Sequence, residues 1–168
     1  MTDDEVVLRP VREDDLPFLQ DMISDPVDAG SFLWQGFRDP REWRQRWDSG
    51  RSLITDGGGV VLIARGEERS GTISWDRHQW FGQPCWTLGI HLARSERGRG
   101  VGTRAHQLMV TYLFKRTLLS RIEAYTEASN FAEQRALEKA GFTQEGTLRH
   151  VAFRDGQWHD GILYSVVR

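Results

Sequence analysis

Apolar positions along the chain fall into short runs that switch repeatedly between strand-like and helix-like spacing. Residues 5–9 (EVVLR) read as a strand that stops at Pro10. Asp14 or Asp15 is placed to cap a helix running to about residue 23, with Pro17 tolerated in its first turn. A second helix start follows at Asp39-Pro40-Arg41-Glu42, after which Trp43 and Trp47 share a face. Residues 60–65 (VVLIAR) are continuously apolar, as in a strand covered on both faces, and the turn Gly66-Glu67-Glu68 joins them to a strand at 70–75. Another strand, 85–92 (CWTLGIHL), leads into a glycine-rich turn at 97–102. A long helix then runs to about residue 116, with Val101, Ala105, Leu108 and Tyr112 on one side. Residues 121–126 are a strand and 130–140 a helix that Gly141 terminates. RHVAFR and QWHDGILYSVV flank Asp155-Gly156, a strong hairpin signal. The pattern predicts one α/β (α+β) domain over residues 1–168, a mixed central sheet of about six or seven strands with helices on both faces.

Composition narrows the function classes. The chain has 39% hydrophobic and 27% charged residues and a net charge of −2, ordinary for a globular domain and unlike a nucleic-acid binder. No run approaches the roughly 20 apolar residues that span a membrane, and the acidic N-terminus is no signal peptide. The single cysteine, Cys85, forms no intrachain disulfide or metal cluster and reads as a small buried hydrophobe in a reducing, cytoplasmic setting. No metal is expected. Residues 1–30 carry nine acids against two bases, which leaves +5 for the remainder. Either this acidic stretch is a solvated face, or it lines a site for a cationic substrate while the rest meets an anion.

The segment from Leu92 to Thr103 carries the most chemistry. Gly98, Gly100 and Gly102 let several backbone N–H groups point one way, and the helix they open adds its unpaired N–H groups and partial positive charge. Arg97 and Arg99 add formal charge. Such a turn can cradle a pyrophosphate, although a purely structural turn has the same glycines. No Gly-Lys-Ser/Thr is present, and the dinucleotide fingerprint beginning at Gly98 meets Thr103 where its third glycine belongs.

Arg97-Gly98-Arg99-Gly100-Val101-Gly102 matches the Gln/Arg-x-x-Gly-x-Gly/Ala motif of the GNAT N-acetyltransferases, and the chain resembles that superfamily over nearly its whole length. Asn130, followed by Glu138-Lys139-Ala140-Gly141-Phe142, is similar to a second family signature. LRPVREDDLPFL resembles the family's first strand and helix, Ser70-Gly71-Thr72-Ile73 its third strand, and the final hairpin that of the ribosomal-protein alanine acetyltransferase branch. The resemblance implies that Gly98, Gly100, Val101, Gly102 and Thr103 bind the pyrophosphate of acetyl-CoA. It implies that Arg97 and Arg99 lie beside it, that His91 and Leu92 pair with the pantetheine arm, and that Asn130 contacts it. Asn130 with Glu133 is also a sensible helix cap. A homodimer is implied by resemblance alone.

A GNAT reaction needs a base for the amine and, in many members, a donor for the departing thiolate. The usual residues do not carry over. The tyrosine seven residues after the asparagine is Leu137 here, the serine three residues after it is Glu133, and the glutamate near the start of the fourth strand is Thr87. His91 and Glu123 are candidate bases, Tyr125 and Ser129 candidate thiolate donors, and Trp34, Phe37, Asp160 and Tyr164 candidate acceptor-binding residues. The expected acceptor is a small-molecule amine or a protein N-terminus. The alternatives are a non-catalytic acyl-CoA-binding or regulatory module, or transfer of another acyl group such as succinyl.

Overall fold

A computed structural model describes residues 5–34, 36–50 and 53–168. The strands are β1 (Val6–Pro10), β2 (Ile54–Thr55), β3 (Gly58–Arg65), β4 (Glu68–Trp80), β5 (Gln83–Leu92), β6 (Arg121–Glu127), β7 (Thr143–Arg154) and β8 (Gln157–Val167). The helices are α1 (Leu16–Ser24), α2 (Pro26–Ala29), α3 (Glu42–Asp48), α4 (Val101–Arg116) and α5 (Phe131–Lys139). The sheet order is β1-β3-β4-β5-β6-β8-β7, with β2 beside β3. Every neighbouring pair is antiparallel except β5 and β6, which α4 joins as a crossover.

That one parallel pairing is short. It joins Trp86 to Ile122, Thr87 to Glu123 and Leu88 to Ala124, and ends there. Beyond it, β5 stays paired with β4 as far as Leu92 and β6 with β8 as far as Glu127. The two strands therefore diverge, and the sheet opens between residues 89–92 and 125–127. Gly71 fixes where β5 goes. A Cβ there would lie 2.1 Å from the His91 carbonyl oxygen and 2.9 Å from Leu92 Cα. Gly71→Ala is expected to cost about 1–3 kcal/mol through overpacking, read as a lower urea midpoint with an unchanged slope.

Two cores cover the sheet. On one face α4 and α5 bring Val101, Ala105, Met109, Leu113 and Leu137 against Ile73, Trp75, Trp86, Leu88, Ile122 and Tyr164. On the other, α1 and α3 pack Leu16, Leu19, Trp43 and Trp47 over Leu62 and Ala64. The buried stripe of α4 thus continues through Met109 and Leu113. Tyr112, which helical spacing placed on that face, is 45% exposed.

Several local expectations are corrected. β4 and β5 run on as a hairpin to Trp80 and Gln83, where the strands leave the core and no burial pattern marks them. α3 begins at Glu42, because the Asp39 carboxylate accepts the N–H of Arg41 and pairs with its guanidinium. Asp15 sits at the start of α1, but its carboxylate serves two arginines instead of capping the helix.

Candidate active site

The glycine turn presents open backbone beside several cations. Gly98 and Gly100 have positive φ, and a Cβ on either would meet nothing within 4 Å, so the space in front of the backbone is open. The Arg104 N–H bonds the Gly100 carbonyl at 3.1 Å. The amides of Val101, Gly102 and Thr103, one turn earlier, have no carbonyl within the helix to bond. Beside the turn lies a recess of about 380 Å³ lined by Glu5, Val6, Arg65, Arg99, Gly100, Val101 and Arg104. Buried Glu96 organises its cations. It accepts from Arg65 at 3.0 Å, Arg99 at 3.1 Å and Ser70 at 3.2 Å. The Arg65 bond is the main cause that holds its carboxyl below the usual range.

On the opposite face a cleft of about 430 Å³ extends to Gly89 and His91, the part of β5 beyond its pairing with β6. Its floor is Thr72, Ser74 and Asp76 of β4 with Gly89 and His91 of β5. Its walls are Trp43 and Arg46 of α3 and the residues around the β2–β3 turn. Cross-strand register sets Thr72 against His91 and Ser74 against Gly89. The His91 imidazole makes no hydrogen bond with the described residues. His91 is solvent-exposed on the cleft floor, but the protein atoms packed around its imidazole partly desolvate it and lower its pKa, and the nearby guanidinium groups of Arg38 and Arg97 lower it further.

The acetyltransferase (GNAT) domain family matches residues 5–143. The chain belongs to this family. A probable N-acetyltransferase, YjcK, of Bacillus subtilis (strain 168) is 40% identical over 80 residues, which cover 48% of this chain and 44% of that protein. The matched stretch is thus about half the length of the curated relatives. Two solved structures share the fold. One is the RimL ribosomal L7/L12 alpha-N-protein acetyltransferase in complex with coenzyme A, with TM-score 0.83 at 21% identity, covering 96% of this chain and 93% of that one. The other is spermidine N-acetyltransferase from Vibrio cholerae in complex with CoA and spermine, with TM-score 0.82 at 16% identity, covering 96% and 95%. The GNAT fold thus places the glycine turn and the sheet opening within one frame.

Within that frame the sequence-derived site residues separate. His91 and Tyr125 lie on the same face of the two diverging strands, and Tyr125 is 57% exposed. Ser129 is exposed just after β6, and Leu92 is half-buried at the end of β5. Glu123 lies at the closed end, buried, with its carboxylate held by Arg121 at 2.5 Å; this engagement takes it away from an incoming amine. Tyr164 is fully buried on the α4–α5 side and donates to Glu138 at 3.2 Å, so it cannot line the acceptor face. Asp160 accepts the His150 N–H at 2.9 Å. Trp34 packs edge-on against Phe37, which is 98% exposed, and neither lines the cleft.

Asn130 caps α5: its carbonyl oxygen accepts the Glu133 N–H, and its amide donates to Thr126. The Glu133 carboxylate turns to buried His106 instead of completing the reciprocal cap. Arg97 points away from the turn, donating to the Leu92, Asp28 and Ala29 carbonyls. Cys85 is buried, and burial followed by the Glu123 carboxylate pushes its thiol up to about 11. Four acids of the first 30 residues are committed elsewhere. Glu13 pairs with Arg44, Asp14 with Arg69, Asp15 with Arg9 and Arg69, and Asp25 caps α2. None of these residues lines the cleft.

The sequence reading missed Arg65, Arg104, Arg46, Ser74 and Asp76. Arg104 lies one helical turn after Gly100, and that spacing was a usable signal. The others reach their sites only through strand register and helix packing. Among the described residues, no group of three or more His, Cys, Asp or Glu side chains is placed to hold a metal, and no helix is long and apolar enough to cross a membrane.

Proposed function

We propose that the chain is an acyl-CoA-dependent N-acetyltransferase that moves the acetyl group of acetyl-CoA to a primary amine. The carrying observation is the parting of β5 and β6 between an amide-rich, basic turn on one side and a cleft floored by His91 on the other. Gly98 and Gly100 leave open space in front of the backbone, and the unpaired amides of Val101, Gly102 and Thr103 would meet a pyrophosphate there, with Arg65, Arg99 and Arg104 beside it. Acetyl-CoA supplies an activated acyl thioester.

The chain's own residues position the amine and manage its proton. The acceptor nitrogen forms a C–N bond to the acetyl carbon as the C–S bond breaks, His91 takes the proton from nitrogen, and the thiolate is protonated from Tyr125 or solvent. A lowered pKa keeps the His91 imidazole neutral and basic at pH 7. Steady-state release of coenzyme A thiol with an amine panel tests the activity, and succinyl-CoA in place of acetyl-CoA tests acyl choice.

His91→Ala is expected to lower kcat/KM about 100-fold while acetyl-CoA binding is unchanged. In the parent, the acid limb of the pH–rate profile should fall below the ordinary histidine value of about 6.5, because the protonated form is disfavoured. The limb should vanish in the variant. An identical acid limb in both proteins would assign the base elsewhere.

A further inference from the structure

The α3-side cleft holds two opposite charges that form no ion pair with the described residues. The Asp76 carboxylate has neither an ion pair nor a hydrogen bond with the described residues. Arg46 lies 5.5 Å from the Trp43 ring centroid, and no described carboxylate pairs with it. Both side chains line the same cleft as Thr72, Ser74 and His91. Elsewhere in the molecule arginines near carboxylates are paired with them, as Arg9, Arg65, Arg69, Arg121 and Arg154 are. An unpaired cation and an unpaired anion on two walls of one small cleft are suited to a ligand that carries both complementary charges.

We infer that the acceptor is a small diamino acid: Asp76 holds its α-ammonium, Arg46 meets its carboxylate, and its side-chain amine reaches the sheet opening to be acetylated. This rests on the acetyltransferase reading and names its substrate class. Asp76, Ser74 and Thr72 share one face of β4. At about 3.3 Å per residue, Asp76 stands about 7 Å from Ser74, which pairs with Gly89 where the strands part. It stands about 13 Å from Thr72, which pairs with His91. A short aliphatic chain between two amines spans the nearer interval and ends at the Ser74 hydroxyl, with Thr72 and His91 one strand repeat further on. A charged floor and a volume of about 430 Å³ suit a compact polar molecule more than the apolar side chains of a protein terminus.

The test compares acetylation of L-lysine and L-ornithine with that of cadaverine, which lacks the carboxylate, 6-aminohexanoate, which lacks the α-ammonium, and a lysine-free peptide with a free N-terminus. The expected kcat/KM for a diamino acid exceeds each of the others by about tenfold or more. Asp76→Asn should bring lysine down to 6-aminohexanoate, and Arg46→Gln should bring it down to cadaverine. Both positions are exposed, so neither change threatens the fold. Preferences unaltered by both variants, or faster acetylation of the peptide, would overturn the assignment. If acetyl-CoA binds but no diamino acid is acetylated, this proposal fails and the cofactor site stands. If acetyl-CoA does not bind, the parent reading fails.

Discussion

Replacing Gly100 and Gly102 together by glutamate is expected to remove acetyl-CoA binding from a protein that still unfolds cooperatively. Gly100 has φ +80, so a side chain there costs about 1–2 kcal/mol of backbone strain, yet its Cβ projects into open space. Gly102 is buried, and a Cβ there would face Leu92 Cδ1 at 3.4 Å and Ile90 Cδ1 at 3.8 Å, so a glutamate must bend past these β5 side chains to reach solvent and adds to the stability cost. Acidic side chains at a helix N-terminus favour the helix, so part of the strain is offset. For the ligand the consequence is the reverse. The Gly100 carboxylate would occupy the open space in front of the free amides, and the added negative charge at both positions would repel the phosphates those amides would bind. Calorimetric titration should show a loss of affinity of about 100-fold or more, equivalent to about 2.7 kcal/mol. Parent-like affinity in the folded double variant would show that the turn is structural and that coenzyme A binds elsewhere.

The second large effect is on stability. Asp15 is fully buried and accepts from Arg9 at 2.7 and 2.8 Å, from Arg69 at 2.7 Å and from the Arg12 amide at 2.8 Å. It thereby ties β1, β4 and the start of α1 together. Asp15→Ala leaves two guanidinium groups partly buried around a void, which is expected to cost about 3–5 kcal/mol in urea unfolding. Burial alone would raise its pKa, but the arginine bonds and the Arg12 amide outweigh burial and hold it far below the usual range. Glu145, bonded by Arg121 and Ser165, is lowered to about 2. Both groups bind fewer protons folded than unfolded. Their stabilisation is therefore complete above about pH 5 and is lost progressively as pH falls from there through the folded values. Urea midpoints taken from pH 5 down to pH 3 should fall in the parent and fall less in Asp15→Ala. A variant within about 1 kcal/mol of the parent, with the same acid slope, would show that the cluster adds nothing.

The local sequence determined most of the elements and their order through short-range physics, but the short α2 and β2 and the first half of β7 from Thr143 carried no such signal. Period-two and continuous apolar runs marked the strands from Val60 and Cys85, Asp155-Gly156 set the last hairpin, and three glycines before a helical stripe marked the turn that opens α4. The GNAT frame was legible for the same reason: its motif is contiguous, and its function lies in the backbone. The strand ends at Trp80 and Gln83 were not legible, because they project beyond the core and carry no burial pattern.

Only the tertiary structure decided which side chains face the opening. Glu123, Tyr125 and Tyr164 all lie on strands next to it. Register and face send Glu123 to Arg121 and Tyr164 to the helical core, and leave Tyr125 beside the parting strands. Arg97 sits in the motif, yet its long side chain reaches the carbonyls at the end of α2. Arg46 and Asp76 are 30 positions apart and look like ordinary surface charges in the sequence. They line one cleft only because α3 packs across the sheet face on which Asp76 alternates outward. Strand alternation and helix packing are long-range facts, and a site assembled from them is settled by the fold.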